Sequence, residues 1–279
     1  MSNKIFVMAD IHGAYKALLQ VLERSGFDYE KDTLIQLGDV CDGWDEVYEC
    51  VEELLKIKNL IAIKGNHDDW FCDYLQWGLQ GANWLQGGIG TLKSYCDNLA
   101  RNYFVKKSGY NTDMLPSDIP DEHRDFFINK QRLYYIDGKN RCFVHGGFDR
   151  HDYFESIEQL RPQSFYWDRD LWMAALSYGT LITNAGHKFK MKENFTEVFI
   201  GHTATVNWNQ KGMYDDFGNL LPDDEIISYK TTPMVAANII NLDTGAGFKG
   251  KLTIMNVDTK EYWQSDRVDK LYDGQKGRN

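Results

Sequence analysis

Ile5-Phe6-Val7-Met8-Ala9-Asp10-Ile11-His12-Gly13 is an apolar run that ends in a turn carrying a carboxylate and an imidazole. The apolar part, Ile5–Ala9, has the length and composition of a buried strand. Thr33–Leu37 and Leu60–Lys64 repeat the pattern, since both are short apolar runs followed by a glycine and polar side chains. The chain therefore opens with three predicted strands, each followed by groups able to bind a ligand.

Amphipathic segments separate these three runs. The first has apolar or small residues at helical spacing, with Gly26 placed to end the helix: Ala14, Leu18, Val21, Leu22 and Ser25. The second has the same spacing at Val47, Cys50, Val51, Leu54 and Leu55. Strands joined by crossover helices are parallel, and open sheets of this kind bind ligands beyond the carboxyl ends of their strands.

The rest of the chain changes character. The region from Trp70 to Lys139 predicts helices and is rich in aromatic residues, so we expect a helical insertion or cap beside the sheet. Strands return without regular crossover helices, which predicts a second sheet packed on the first, at Arg141–His145, Glu197–Gly201, Met234–Asp243 and Lys251–Val257. We expect an α/β fold in a single domain over residues 1–268, followed by a flexible polar tail at 269–279.

The composition of the chain argues against nucleic acid and membranes as partners. The formal net charge of −10 disfavours nucleic acid, because phosphate backbones are bound mainly by clustered lysines and arginines. The five cysteines have no Cys-x-x-Cys spacing, which argues against a disulfide framework or a zinc knuckle and fits a reducing cytoplasm. No export signal opens the sequence and no apolar stretch approaches the ~20 residues of a membrane span, so we expect a soluble cytoplasmic protein without a membrane partner.

Five polar clusters follow five predicted strands, and each places a glycine next to carboxylate, amide or imidazole groups. They are Asp10–Gly13, Gly38–Asp42, Gly65–Asp68, His145–Gly147 and Gly201–Thr203. Taken singly, each is most simply a helix cap or a strand-end turn. Together they bring four of the seven histidines to strand ends, which coincidence explains poorly. Mixed carboxylate and imidazole ligands favour Mn, Fe or Zn over calcium.

The order of these clusters resembles that of the calcineurin-like metallophosphoesterases, and within them the phosphoprotein phosphatase branch with its compact bacterial and phage members. The motifs run from Asp10 to Thr203, and Asn241–Ala246 followed by Lys251–Ile254 is similar to the closing strands of that branch. The resemblance implies a two-sheet α/β sandwich with a helical insertion and two divalent metal ions, with Mn favoured over Fe or Zn. It also implies hydrolysis of a phosphate ester by a hydroxide that bridges the two ions.

The resemblance also implies a role for individual residues. The metal ligands would be Asp10 and His12 for one ion, Asp39 bridging both, and Asn66, His145 and His202 for the second. Asn66 would also contact the substrate phosphate, and His67 resembles the catalytic histidine that assists the leaving alkoxide. Asp42 would orient His67 by binding its distal ring nitrogen, and the alternative for Asp42 is a simple turn cap.

The sequence departs from the phosphatase branch in three places. Asp42 is followed by Gly43 and Trp44, where the branch has an Arg-Gly pair whose arginine clamps the substrate phosphate. Ala9 stands in place of a more usual glycine, which adds only a methyl group. Asp68 stands in place of the usual glutamate, and Asn-His-Asp is common among related nucleases and phosphodiesterases.

Two further segments could contact a substrate. Tyr166–Asp170 resembles the segment that supplies a second phosphate-binding arginine, which here is Arg169, and the alternative for Arg169 is a surface ion pair. The aromatic run Trp70, Phe71, Tyr74 and Trp77 could line a pocket or stack on a base. At that spacing, a helix face packed into the core is the favoured interpretation.

The leading functional hypothesis is a serine/threonine phosphoprotein phosphatase, acting on a phosphorylated protein or a small phosphoester. A dinucleoside tetraphosphatase or another nucleotide phosphohydrolase is the alternative, and it would need an aromatic platform for the base. The negative charge disfavours a nuclease. A catalytically silent binding module is disfavoured because every expected metal ligand is present together with His67.

Overall fold

The computed structural model describes residues 3–78, 81–107, 109–182, 190–208, 222, 225, 227 and 230–278. Within them the chain forms two five-stranded sheets and a separate two-stranded hairpin. The α/β fold with two packed sheets, predicted from the sequence, is confirmed.

The first sheet contains the three strands that open the chain, flanked by two later ones. Its order is β12–β11–β1–β2–β3, with β1 at Ile5–Met8, β2 at Thr33–Gln36, β3 at Asn59–Ala62, β11 at Thr253–Asn256 and β12 at Tyr262–Gln264. The strands β1, β2 and β3 are parallel, whereas β11 pairs antiparallel with β1. The apolar run at 251–257 therefore belongs to the first sheet, not to the second sheet in which the sequence analysis grouped it.

The second sheet has the order β6–β7–β8–β10–β9. Its strands are β6 at Tyr134–Ile136, β7 at Arg141–Val144, β8 at Glu197–Ile200, β9 at Met234–Ala236 and β10 at Ile239–Asn241. The strands β7, β8 and β10 are parallel to one another, so their carboxyl ends lie at one edge. The predicted strand at Met234–Asp243 is instead an antiparallel pair, because the chain turns back between β9 and β10.

Side-chain alternation along the strands builds the layers of the fold. Val7 and Ile35 point from the first sheet into a core shared with Phe143 and Phe199 of the second sheet. Phe6 points the opposite way, into a core covered by helices. A third core, on the outer face of the second sheet, contains residues of β7, β8 and later helices. Helices thus cover both outer faces of a sandwich of two sheets.

The helices begin and end as follows: α1 Tyr15–Ser25, α2 Val47–Leu55, α3 Asn66–Trp77, α4 Gly88–Leu99, α5 Asp121–Asp125, α6 Phe154–Leu160, α7 Ser164–Trp167, α8 Asp170–Ile182 and α9 Val268–Leu271. Short 3-10 turns occupy Ala82–Leu85, Pro116–Asp118 and Thr205–Asn207, and a π-helical turn occupies Phe126–Lys130. No helix in the described part of the chain combines the length and apolar character needed to cross a bilayer.

The region 70–139 is mainly helical, as predicted, but it also contains strands. It contains a hairpin of β4, Tyr103–Lys106, and β5, Gly109–Thr112, and it ends in β6 at the edge of the second sheet. Three of the four β4 side chains are exposed, so this strand has none of the apolar alternation that marks a half-buried strand in a sequence.

Residues 269–278 also differ from the flexible tail predicted for 269–279. Tyr272 is 2% exposed, and its ring stacks on Trp44 with 4.8 Å between ring centroids. The backbone N–H of Arg278 donates a hydrogen bond to the Gly247 carbonyl at 2.7 Å. Burial of the Tyr272 ring therefore holds this otherwise polar segment against loops that adjoin strands of the first sheet.

Candidate metal centre

Five strand ends converge at one edge of the sandwich. Asp10 and His12 follow β1, Asp39 follows β2, Asn66 and His67 open α3 after β3, His145 follows β7, and His202 follows β8. Two groups of side chains place their ligand atoms within 4.8 Å of one another: Asp10, His12 and Asp39, and Asp39, His145 and His202. Asp39 belongs to both groups, as a residue that bridges two ions must.

Distances within the cluster are those of a close, buried set of ligands. The Nε2 atom of His12 lies 3.6 Å from Oδ2 of Asp39 and 3.9 Å from Oδ2 of Asp10. The Nε2 atom of His145 lies 3.3 Å from the same Asp39 oxygen and 3.2 Å from the amide oxygen of Asn66. The structure thus brings together all six side chains that the sequence predicted as metal ligands, with His202 the most exposed of them at 5%.

Backbone carbonyls orient two of the histidines. Nδ1 of His12 lies 2.9 Å from the Cys41 carbonyl, and Nδ1 of His145 lies 2.8 Å from the Leu37 carbonyl. A carbonyl can only accept, so each Nδ1 carries a hydrogen and each Nε2 is turned toward the cluster. This arrangement of the distal nitrogen is typical of histidines that bind metals.

Two buried ligand atoms have no hydrogen-bond partner within the described chain, namely Oδ2 of Asp39 and Nε2 of His202. Buried polar atoms without partners are uncommon because each loses its hydration without compensation. The other oxygen of Asp39 accepts a hydrogen bond from the His67 backbone at 2.9 Å, so only the oxygen facing the cluster is unpaired. The donor set and its unpaired atoms fit a pair of divalent cations.

The charges of the cluster are unbalanced without cations. Burial, followed by repulsion from Asp243, raises the pKa of Asp10 well above its ordinary value. Burial alone would also raise the pKa of Asp39, but His145 and His67 lower it well below the usual range. Burial would lower the pKa of His145, yet the Asp39 carboxylate raises it to about 9. A bound divalent cation would favour the carboxylate of Asp10 and the neutral imidazole of His145.

The turns that carry the ligands have unusual backbone conformations. Positive φ angles occur at His12 (51°), Asp39 (54°), Asp42 (67°) and His202 (65°). Such left-handed conformations are uncommon for residues with a Cβ and are concentrated at functional sites. The strands β1, β2 and β8 are therefore each followed by a turn with a left-handed residue, and His12, Asp39 and His202 are such residues.

Neighbouring glycines make room for the ligands themselves. A Cβ on Gly65 would lie 2.1 Å from Oδ1 of Asp39, and a Cβ on Gly201 would lie 2.2 Å from Oδ1 of Asp10. No real Cβ tolerates such a distance. Gly65 and Gly201 are thus required by close packing against the carboxylates of Asp39 and Asp10.

His67 and Asp42 form a buried pair beside the metal ligands. Nδ1 of His67 lies 2.7 Å from Oδ2 of Asp42, and both side chains are fully buried. The other oxygen of Asp42 accepts hydrogen bonds from the Trp84 indole at 3.0 Å and the Thr91 hydroxyl at 2.7 Å. The position of Asp42 agrees with the predicted orienting role. Trp84 and Thr91 lie in the region 70–139 and were not among the residues that the sequence analysis assigned to the site.

Asp68 has a structural role that the sequence did not reveal. One of its oxygens accepts hydrogen bonds from the backbone N–H groups of Val40 and Cys41, and the other accepts from Asp39 N–H at 3.0 Å. Gln131 donates to the same second oxygen at 2.8 Å. Asp68 therefore shapes the loop that carries the bridging ligand. Its position directly after Asn66-His67 was the available signal.

The two residues predicted to contact the substrate phosphate differ in burial. Asn66 is 2% exposed and lies within the cluster. Arg169 is exposed, and its pKa is lowered by partial burial of the guanidinium and then by the charge of Arg278. Asp39 and Asp10, two of the predicted metal ligands, raise the same pKa. The Asp168 carboxylate, one possible partner for Arg169, accepts a hydrogen bond from Leu171 N–H at 3.0 Å.

The aromatic run on α3 divides between two environments. Phe71 and Tyr74 are buried in the core, as favoured from their spacing, and Trp77 is 69% exposed. Trp70 instead lies beside the site, with its ring centroid 4.5 Å from that of His67 and 5.5 Å from that of Trp167. An aromatic pair therefore stands next to the metal ligands.

A two-sheet sandwich that gathers a shared carboxylate and paired imidazoles at its strand ends is the framework of a metal-dependent hydrolase of phosphate esters. The chain belongs to the calcineurin-like phosphoesterase family, whose model matches residues 3–231. The family membership predicted from the sequence is therefore confirmed.

Relatives with named activities fall into two groups. Over 260 residues the chain is 25% identical to serine/threonine-protein phosphatase 2 of Salmonella typhimurium, a match that covers 91% of this chain and 92% of that protein. Over 280 residues it is 23% identical to the asymmetrical bis(5'-nucleosyl)-tetraphosphatase PrpE of Oceanobacillus iheyensis, covering 93% of this chain and 90% of that protein. A candidate diadenosine tetraphosphatase of solved structure has the same fold, with a TM-score of 0.52 at 13% identity over 100% of this chain and 96% of that one.

Proposed function

We propose that this phosphoesterase hydrolyses phosphate monoesters with two divalent ions, Mn favoured over Fe or Zn, and that its substrates are serine- or threonine-phosphorylated proteins. The observation that supports the proposal is the pair of ligand groups that share Asp39. The ions would be held by Asp10, His12, Asp39, Asn66, His145 and His202. When bound, they supply the positive charge that polarises a phosphate ester and activates a water molecule.

His67 is the proposed acid of the reaction. Its Nδ1 atom is engaged by Asp42, which leaves Nε2 as the atom able to protonate the leaving alkoxide. That Nε2 atom is buried and has no hydrogen-bond partner among the described residues. The carboxylate of Asp42 stabilises the imidazolium form that must give up the proton.

Two side chains would bind the substrate phosphate. The amide oxygen of Asn66 faces His145 at 3.2 Å, so its NH₂ group remains available to donate to a phosphate oxygen. Arg169 adds a cation at the rim of the site, with a planar fork that can bind two phosphate oxygens at once. Together they would hold the phosphoryl group against the metal ligands.

A second candidate substrate class is a dinucleoside polyphosphate. The observation that favours it is the Trp70–Trp167 pair, because a nucleobase needs an aromatic face on which to stack. Trp167 is 38% exposed, so its ring is accessible from solvent. Its ring centroid lies 5.9 Å from that of His202, which would bring a stacked base near the reacting phosphate.

A substrate panel distinguishes the two classes. Phosphopeptides, dinucleoside polyphosphates, mononucleotides, cyclic nucleotides and single-stranded DNA are assayed side by side with added Mn. We expect turnover that is lost in EDTA and a preference of at least about tenfold for phosphopeptides, which corresponds to about 1.4 kcal/mol. A tenfold preference for dinucleoside polyphosphates would support the second class, and bound metal without any turnover would contradict both.

A matched pair of tryptophan variants tests the aromatic platform. Trp167→Leu removes the ring beside His202, whereas Trp77→Leu removes an exposed ring from the far end of α3. If a base stacks on Trp167, only the first variant raises KM for dinucleoside polyphosphates. If phosphopeptides are the substrates, both variants retain selectivity for them over nucleotides.

The cysteines bear on the proposed cytoplasmic location. All five are buried and free of disulfides. Unpaired buried thiols are expected where the surroundings keep thiols reduced, which supports a cytoplasmic enzyme.

A further inference from the structure

The loop after Asp42 lacks a cation at the position where the phosphatase branch carries its clamp arginine. Gly43 occupies that position, with a φ angle of +100° that disfavours any residue with a Cβ. A Cβ there would also lie 3.0 Å from the His12 carbonyl oxygen. The local backbone therefore provides no room for a side chain at position 43, and a phosphate-binding cation has to come from elsewhere in the chain.

Arg278 reaches this space from the opposite end of the sequence. Its Nη1 atom lies 3.1 Å from Nε2 of His12, the ring nitrogen turned toward the metal ligands. Its stem crosses the two glycines that border the gap, because a Cβ on Gly43 would lie 3.5 Å from Arg278 Cγ and a Cβ on Gly87 would lie 3.0 Å from it. The absence of side chains at Gly43 and Gly87 is what lets the stem of Arg278 pass.

Trp44, which follows Gly43 in the same departure from the phosphatase branch, holds the segment that carries Arg278. Its indole N–H donates to the Ala246 carbonyl at 2.8 Å, and one face of its ring stacks on Tyr272. A Cβ on Gly277 would lie 2.8 Å from Trp44 Cζ2, so the backbone just before Arg278 rests directly on the indole. The hydroxyl of Tyr272 donates in turn to the Glu46 carboxylate. Trp44 thus forms the floor on which residues 272–278 are fixed.

The charge of Arg278 acts on the metal ligands and on Arg169. Burial and then Arg278 lower the pKa of His12, and Arg278 is the second cause of the lowered pKa of Arg169. The carboxylates of Asp10, Asp39 and Asp243 act on Arg169 in the opposite direction and raise its pKa. The geometric evidence for the position of Arg278 is its contact with His12.

We propose that Arg278 is the substrate-positioning residue that binds the non-bridging oxygens of the phosphoryl group, opposite Arg169, in place of the arginine missing at position 43. The proposal rests on the phosphoesterase function proposed above. Because Nε2 of His12 cannot bind an ion and accept from Arg278 at once, the guanidinium is released from His12 when the ligands hold metal. Its fork is then available for two phosphate oxygens.

The test uses Mn-loaded wild-type protein and the variants Arg278→Ala, Arg278→Lys and Lys276→Ala. Lys276 is an exposed cation in the same segment, so its removal matches the change in net charge. Three quantities are measured: Mn per chain by elemental analysis, the Kd of inorganic phosphate by calorimetry, and kcat and KM for an aryl phosphate. We expect Arg278→Ala to weaken phosphate binding and lower kcat/KM at least about tenfold with unchanged Mn content. Arg278→Lys should recover only part of this loss, because an ammonium cannot bind two oxygens in one plane. Lys276→Ala should change neither the phosphate affinity nor kcat/KM.

Two results would overturn the proposal. Unchanged phosphate affinity in Arg278→Ala would remove Arg278 from the phosphate site while leaving the phosphoesterase function intact. Tighter Mn binding and faster turnover in Arg278→Ala would show that Arg278 opposes metal binding through His12. Failure of the function is recognised separately, because wild-type protein would then hold Mn and turn over no phosphate ester.

Discussion

Nδ1 of His67 lies 2.7 Å from Oδ2 of Asp42, although 24 residues of sequence separate the two. The same carboxylate is fixed from its other side by Trp84 and Thr91. A histidine held in this way has one defined tautomer and one free nitrogen. The pair therefore has the geometry of an acid and its orienting partner, close to the metal ligands without being among them.

Replacing Asp42 by Asn tests this relationship. The amide keeps the size of the side chain but removes the charge that stabilises the His67 imidazolium, so we expect kcat to fall at least ~10-fold, the scale found for partners of active-site groups. His67→Ala should lower kcat at least ~100-fold. Steady-state kinetics on an aryl phosphate measure both.

The effects of Asp42→Asn and His67→Ala on kcat should not be additive. Because Asp42 acts through His67, the change Asp42→Asn made in a His67→Ala background should alter kcat less than about twofold. Asp45→Asn in the same loop is the control, since Asp45 pairs only with Lys93 in the contacts described at that position. Full additivity would mean that Asp42 has an independent function.

Asp39→Asn should remove the shared ligand. A neutral amide cannot balance two cations, so we expect fewer than the ~2 ions per chain of the wild type, together with loss of turnover. Elemental analysis after gel filtration gives the metal content. A variant that keeps the full complement of ions would show that Asp39 is not the bridge.

Gly65→Ala tests the close packing behind the bridging ligand. The added Cβ would lie 2.1 Å from Oδ1 of Asp39, so the carboxylate must move and metal affinity should fall at least ~10-fold. Gly138→Ala is the matched control, because nothing lies within 4 Å of a Cβ at that position. Mn titration of both variants measures the effect. Equal affinity in the two would contradict the packing argument.

Without bound metal, the Asp10 carboxylate should destabilise the folded protein. Burial and repulsion from Asp243 raise the pKa of Asp10 well above its ordinary value, so the folded state holds the Asp10 proton to higher pH than the unfolded chain does. The contribution of Asp10 to the free energy of unfolding therefore falls as pH rises above the unfolded pKa of about 3.9.

In EDTA at neutral pH we expect Asp10→Asn to raise Tm by at least about 2 °C, the shift that about 1 kcal/mol gives in a domain of this size. With Mn, the Tm of Asp10→Asn should instead be lower than that of the wild type, because the variant lacks one metal ligand and bound Mn stabilises it less. Differential scanning fluorimetry measures both conditions. A lower Tm for the variant in EDTA would show that the Asp10 carboxylate is stabilising without metal.

Local sequence patterns predicted the parts of the site that follow the carboxyl ends of strands. Asp10, Asp39 and His145 each follow a buried apolar run, and parallel strands bring their carboxyl ends to one edge whatever the intervening residues are. The resemblance to known phosphoesterases then supplied the roles. These positions could be predicted because they depend only on which end of a strand a residue follows, and the strands are visible in the sequence as apolar runs.

Contacts between distant parts of the chain could not be predicted in this way. Arg278 meets His12 across 266 positions, and the packing of Tyr272 on Trp44 together with the hydrogen bond from Arg278 N–H to Gly247 brings it there. The left-handed backbone at Asp39 is imposed by hydrogen bonds from its loop to Asp68. Neither feature has a periodic signature, because both depend on which surfaces meet after folding.

The central claim is that six side chains hold two ions around one shared carboxylate. Anomalous diffraction from crystals grown with Mn, collected above and below the Mn absorption edge, tests it most directly. The account predicts two peaks about 3.5–4 Å apart, with Asp39 between them, Asp10 and His12 at one, and Asn66, His145 and His202 at the other. A single peak, or two peaks that do not share Asp39, would contradict it.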